Sequence, residues 1–313
     1  MNIKLTWNHK DVSQDLIPFV SEITITESAE NGSKDELSIK LINNDQRFLN
    51  EWFPVEGHKI NLVLNNIPFG DFSIDSMVFS IQPSTLTIKA LSYTSLKRSV
   101  LTSKINIAYE NLSLRSLIST IFQDTGYQSY IQCPDTHIDR FDITNESREQ
   151  SLLKLANRYN ARFCVKGDTL IFTNRFVQTN QKIDRLDVTG SISTKPRNSV
   201  AAVQIQYYDA QTQKNIQYRE GDSQATGDAV MVIHGIAKTI EEARTRCQAF
   251  LKKNKNTKIA ADFDIIGTPI AAGTIIQLTN FGKLNGTYAV NTVCHNINES
   301  GWRTRLKLTP QGA

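Results

Sequence analysis

The chain has 313 residues, 40% of them hydrophobic and 21% charged, enough apolar material for two or three globular domains and too much for a disordered or fibrous chain. The net charge of +4 is spread along the chain rather than gathered in a block, so charge alone selects no nucleic-acid partner. No stretch approaches the roughly 18 apolar residues of a membrane span, and Met1–Lys10 lacks a signal-peptide core. The sequence therefore predicts a protein made in a cytoplasm with no stable membrane insertion.

The first ninety residues predict strands. Leu37, Ile39 and Leu41 alternate with polar residues, Ile60, Leu62 and Leu64 keep the same period of two, and Phe72 and Ile74, then Leu86, Ile88 and Ala90 follow it. Asn31-Gly32, Pro54 with Gly57, Asn65-Asn66 and Gly70 punctuate them as turns. The middle changes period. Ser113 caps a helix with apolar positions Leu114, Leu117, Ile118, Ile121 and Phe122, ended by Gly126. Ser147 with Gln150 makes a capping box for a second helix, striped by Leu152, Leu153, Ala156 and Tyr159. A hairpin follows, turning at Lys166-Gly167-Asp168.

Beyond a polar stretch at 177–187, Val200–Tyr208 reads as a strand and 209–226 as an exposed loop or long hairpin. Thr239 and Glu242 suggest another capping box, opening a helix lined by Ile240, Ala243, Cys247, Phe250 and Leu251. Final strands are expected near 259–266, 274–279, 287–297 and 303–309.

The two β regions repeat each other at a constant offset of 216 residues. Gly57 matches Gly273, Ile60 matches Ile276, Leu62 matches Leu278 and Gly70 matches Gly286. Phe72, Ile74 and Met77 match Tyr288, Val290 and Val293. Alternation accounts for the aliphatic matches but not for both glycines and the aromatic in one register, which favours an internal duplication. The fold class expected is α+β, mainly β, with two related β-barrel domains flanking a small α+β domain. The boundaries are 1–96 for the first barrel, 97–176 for the middle domain, 177–187 for a linker, and 188–313 for the second barrel with an inserted helix at 239–255.

Catalytic and metal patterns are missing. There is no phosphate-binding glycine loop, nucleophile elbow or zinc-protease motif. Cys133, Cys164, Cys247 and Cys294 form no C-x-x-C pair and are expected reduced and mostly buried, and the five histidines are scattered. His137 between Asp135 and Asp139 is a conceivable acid–base or metal group, but a polar loop explains it better. Asp262 and Asp264 share one face of a strand, where paired carboxylates can cleave glycosides. A solvated face with Phe263 buried behind it is the simpler reading. His295 reads as a hydrogen-bonded strand residue, and the lysines between Lys252 and Lys258 as a solvated helix end. No catalytic, cofactor-binding or metal residue is therefore assigned.

Asn145-Glu146-Ser147 with Leu152–Tyr159, and Val165–Phe172, resemble the middle signature of the phage late-control D family. Tyr109–Leu114, Gly70–Ser76 with Leu86-Thr87-Ile88, Val203–Asp209, and Gly286-Thr287-Tyr288 through His295 to Gly301–Thr304 are similar to it in the same order. The sequence departs at Cys294 and Trp302, where the family often has other residues, and matches less well just before Thr239. The resemblance implies a non-enzymatic baseplate hub of a contractile phage-type tail or tailocin, with no cofactor. It implies two tube-like barrels in each chain of a homotrimer, adapting the six-fold tail tube to the three-fold central spike. The partners implied are the tube protein, the spike, the tape-measure protein and neighbouring baseplate proteins, with DNA passing through the channel without specific binding. The location implied is the virion tail baseplate, assembled in a bacterial host cytoplasm. Two other readings stand beside it: a baseplate-associated cell-wall hydrolase, and the hub portion of a type VI secretion spike.

Overall fold

The computed structural model describes residues 1–92, 95–194, 200–209, 213–233, 237, 240–256 and 259–311. It is mainly β, and its largest feature is one 13-stranded sheet. Two six-stranded units make up that sheet, together with the two-residue strand Lys10–Asp11 on the outer edge of Ile3–Trp7. In the first, the strand order is Ile3–Trp7, Lys59–Leu64, Ile67–Ser80, Thr85–Leu91, Glu36–Ile42, Val20–Ser28. In the second it is Val177–Asp184, Thr274–Thr279, Gly286–Asn298, Gly301–Pro310, Ile259–Ile266, Val188–Thr194. Numbered by chain order within each unit, both arrange their strands as 1-4-5-6-3-2.

The likeness extends to single hydrogen bonds. Ile60 faces Phe72 as Ile276 faces Tyr288, and Leu62 faces Gly70 as Leu278 faces Gly286. The Gly57 N–H donates to the Ile74 carbonyl at 2.9 Å, and the Gly273 N–H donates to that of Val290 at 2.8 Å. Both glycines sit at positive φ, +82° and +89°, which side chains resist, and this is why the repeat keeps glycine there. A β-bulge interrupts each long strand at the matching place, between Ile74 and Ser76 and between Val290 and Thr292. Bulges bend and twist a strand, so sharing one means sharing a curvature.

The units also differ. Ile3–Trp7 runs antiparallel to its neighbour, whereas Val177–Asp184 runs parallel to the corresponding strand. Pairing among the described residues closes neither unit into a barrel. The units are instead joined edge to edge, Val20–Ser28 pairing with the C-terminal half of Gly286–Asn298.

Residues 177–187 are not the linker that their polarity suggested. Val177–Asp184 is a border strand, and Arg185–Asp187 is a short 3-10 turn. A border strand with one wet face needs few apolar residues, and here only Ile183 is buried. The expected single inserted helix is part of a larger insertion. Ala202–Asp209, Lys214–Gly221 and Val230–Ile233 form a separate sheet against helix Ile240–Asn256. Val203, Ile205, Ala243 and Cys247 give that insertion its own core. Thr239, half of the expected capping box, lies outside the described residues.

Between the units in sequence lies the α+β region, with helices Ser95–Thr102, Leu114–Gln123 and Arg148–Arg158 around an apolar core. Ser113 caps its helix by accepting the Ser116 N–H. Ser147 and Gln150 form the full reciprocal box, which satisfies two otherwise orphaned helix donors. Arg162–Lys166 and Thr169–Thr173 make the expected hairpin.

Gly267 shows how tightly the second unit packs. A Cβ there would fall 2.3 Å from Cγ of Trp302. Gly267→Ala is expected to lower stability by about 1–3 kcal/mol through overpacking, measured by urea unfolding. An unchanged midpoint would mean that the Trp302 ring moves freely.

Candidate assembly interface

The residues weighed for chemistry lie apart in the fold, each with its own partners. Asp262 accepts two hydrogen bonds from Arg305, both 2.7 Å, and Asp264 accepts one from Arg303 at 2.6 Å. The bond from Arg305 holds the Asp262 carboxyl below its ordinary range, the wrong direction for a general acid. Phe263 is buried behind them as expected. His137 meets Asp139 at 3.3 Å with both side chains more than half exposed. Asp135 accepts the Arg115 N–H at the start of its helix. Cys133, Cys164 and Cys247 are buried, and burial pushes the Cys247 thiol up to about 11, far from a reactive thiolate. No cluster of three metal-ligating side chains occurs among the described residues. The side chains of Lys252, Lys253, Lys255 and Lys258 lie outside them.

The seam between the units is where the unusual chemistry sits. Its register sets Ile23 opposite Ile297 and Ile25 opposite His295, all four buried. Each isoleucine buried this way contributes about 1.5–3 kcal/mol. His295 is fully buried, its Nδ1 3.1 Å from Thr304 Oγ1 and accepting the Trp302 Nε1–H at 3.3 Å. Phe69, from the other unit, meets the imidazole edge-on with centroids 5.0 Å apart. Burial pushes the imidazole down to about 4, opposed in small part by the Ile270 backbone.

A second junction gathers three parts of the molecule. Glu27 and Asp35 of the first unit converge on Lys166 of the middle hairpin. Glu27 also accepts the Ala272 N–H of the second unit at 3.3 Å, and Asp35 accepts the Ser28 N–H at 3.3 Å. Burial raises both carboxyls, and the Lys166 charge works against that rise. Nearby, Gly32 and Asn31 tie the first unit to the Phe163 backbone at 2.8 Å each, and Arg158 pairs with Glu242 of the inserted helix. The sequence offered no route to this junction, because Asp35 and Lys166 stand 131 residues apart.

Outward, the chain exposes apolar side chains at strand ends and turns. Val78, Ile81, Phe53, Leu186 and Ile266 are each more than half exposed. No helix is long and apolar enough to cross a membrane.

No family model matches the chain. Over 181 residues it is 26% identical to the "Probable baseplate hub protein" of Escherichia phage 186. The chain resembles a phage baseplate hub protein. That match spans 54% of this chain but only 43% of the relative's own length. The prophage MuSo2 43 kDa tail protein from Shewanella oneidensis has the same overall fold. Its TM-score is 0.77 at 16% identity, over 99% of this chain and 98% of that one. An E. coli component of the type VI secretion system superposes with a TM-score of 0.60 at 8% identity, over 94% of this chain and 74% of that one. The fold is thus shared with a prophage tail protein and with a component of a type VI secretion system.

Proposed function

We propose that this chain is the structural, non-catalytic hub of a contractile phage-type tail, trimerising to join a six-fold tube to a three-fold spike. The observation that carries the reading is the pair of six-stranded units with one strand order, one register and one shared bulge. Three chains then supply six near-equivalent units, so a tube subunit meets the same hairpin at every position. Closed cyclic assembly is the usual route to such rings. The two units are the tube-like domains, and the barrel that a single chain leaves open is completed between chains. The likeness to a phage baseplate hub supports the partners: tube protein, central spike, tape-measure protein and neighbouring baseplate proteins, with DNA traversing the lumen without specific contacts. The working location is the virion tail baseplate.

The test is sedimentation of the purified chain alone and with its tube and spike proteins. A trimer that binds both is expected. A lasting monomer that binds neither overturns the reading.

The second reading, the hub portion of a type VI secretion spike, is favoured by the fold shared with the E. coli secretion component. Pull-down against both spike types separates the two. A cell-wall hydrolase would clear a peptidoglycan zymogram, and no clearing is expected, because the paired carboxylates of Asp262 and Asp264 are engaged by arginines.

A further inference from the structure

The joint inside the chain has a half-built counterpart. Gly286–Asn298 uses one edge twice: its N-terminal half pairs with Thr274–Thr279, and its C-terminal half with Val20–Ser28. Ile67–Ser80, its equivalent in the first unit, pairs with Lys59–Leu64 through its N-terminal half, while Ser76–Ser80 has no strand on that edge among the described residues. Val188–Thr194, the equivalent of Val20–Ser28, likewise pairs on one side only.

Burial tells the same story. Val293 and His295 are fully buried in the made joint, whereas their counterparts Met77 and Phe79 are only half-buried. Ile297 is 2% exposed and its counterpart Ile81 is 88% exposed. Ile25 is fully buried and its counterpart Ile192 is half-buried. Open edges backed by apolar side chains recruit a further strand.

We infer that Val188–Thr194 of one copy adds to the open edge Ser76–Ser80 of the next, repeating between chains the joint that the chain makes within itself. This rests on the trimeric reading above and specifies how its ring closes. The register follows from the repeat. Ile23 and Ile25 face Ile39 and Leu37 as Gly190 and Ile192 face Phe263 and Ala261, and Ile39 and Leu37 face Ile88 and Ala90 as Phe263 and Ala261 face Leu306 and Leu308. Carried across, the internal pairs His295–Ile25 and Cys294–Thr26 become Phe79–Ile192 and Val78–Ser193. The first pair extends the apolar face, and the second points outward, where both side chains are exposed.

The internal counterpart of the second pair brings Cys294 Sγ within 3.9 Å of Thr26 Oγ1. Residues directly opposite on antiparallel strands fall within disulfide reach. The experiment is therefore the double variant V78C/S193C of the full chain, oxidised and run on a non-reducing gel, with sedimentation in parallel. Both positions are exposed, so folding is preserved. Expected is a ladder ending at three times the chain mass, abolished by reductant, absent from either single variant and weaker in the displaced pair V78C/S191C. A trimer in sedimentation without the crosslink overturns this joint and leaves the trimeric reading standing. A monomer without the crosslink overturns both.

Discussion

Wild-type protein is expected to lose about 3 kcal/mol of stability, relative to His295→Gln, as pH falls from 6.5 to about 4. The cause is proton linkage. Unfolded, the imidazole takes up a proton near its ordinary 6.5; folded and buried, it does so only near 4. A depressed folded value means that His295 contributes its full stability above 6.5 and gives it up on acidification. The glutamine variant has no such proton to gain, and every other titrating group is common to both proteins and cancels in the difference. Urea unfolding at several pH values measures it, and parallel curves would show that the ring is not held neutral in the seam. Because His295 pairs with Ile25 across the seam and packs on Phe69, this acid loss acts at the joint between the units.

The second large effect is expected from Lys166→Met. Lys166 is the cation shared by Glu27 and Asp35, and removing it leaves two buried carboxylates uncompensated. Breaking such a pair costs about 3–5 kcal/mol, with the lower end expected because the Lys166 side chain is 23% exposed. The pH signature has the opposite sign to that of His295. Burial has already raised both carboxyls, and they rise further without the lysine charge. The folded variant therefore takes up protons before the unfolded chain does, and the penalty shrinks as pH falls through the raised range. Unfolding at about pH 7.5 and about pH 5 checks this. A penalty of equal size at both would assign the loss to packing of the lysine stem instead.

Much of this architecture was legible from the residues. The alternation around Ile60, Phe72 and Ile88 marked strands, and the glycines at 57, 70, 273 and 286 fixed two hairpins in one register, because only glycine tolerates that backbone. The sixth strand of each unit breaks the constant offset of 216 residues. The connection before Thr85–Leu91 is shorter by two residues than the one before Gly301–Pro310, so Ile88 corresponds to Leu306 rather than Thr304. The earlier strands were hidden by the insertion carrying Ala202–Ile233 and helix Ile240–Asn256. Val177–Asp184 was misread as a linker because its partner supplies the apolar side. The buried junction of Glu27, Asp35 and Lys166 left no local trace, since charged side chains brought together by tertiary packing look like ordinary surface residues in a linear sequence.

One difference between the units sets how many ligands a chain can hold. Ile3–Trp7 and Val177–Asp184 occupy the same position in their units but run in opposite directions, and Lys10–Asp11 pairs with part of the outer edge of Ile3–Trp7, so the two offer their backbone donors and acceptors in different patterns. A binding protein that touches only the glycine-bounded hairpins finds two equal places on each polypeptide. One that hydrogen-bonds to the border strand finds a single place, and titration calorimetry would read the contrast as stoichiometries of two and one.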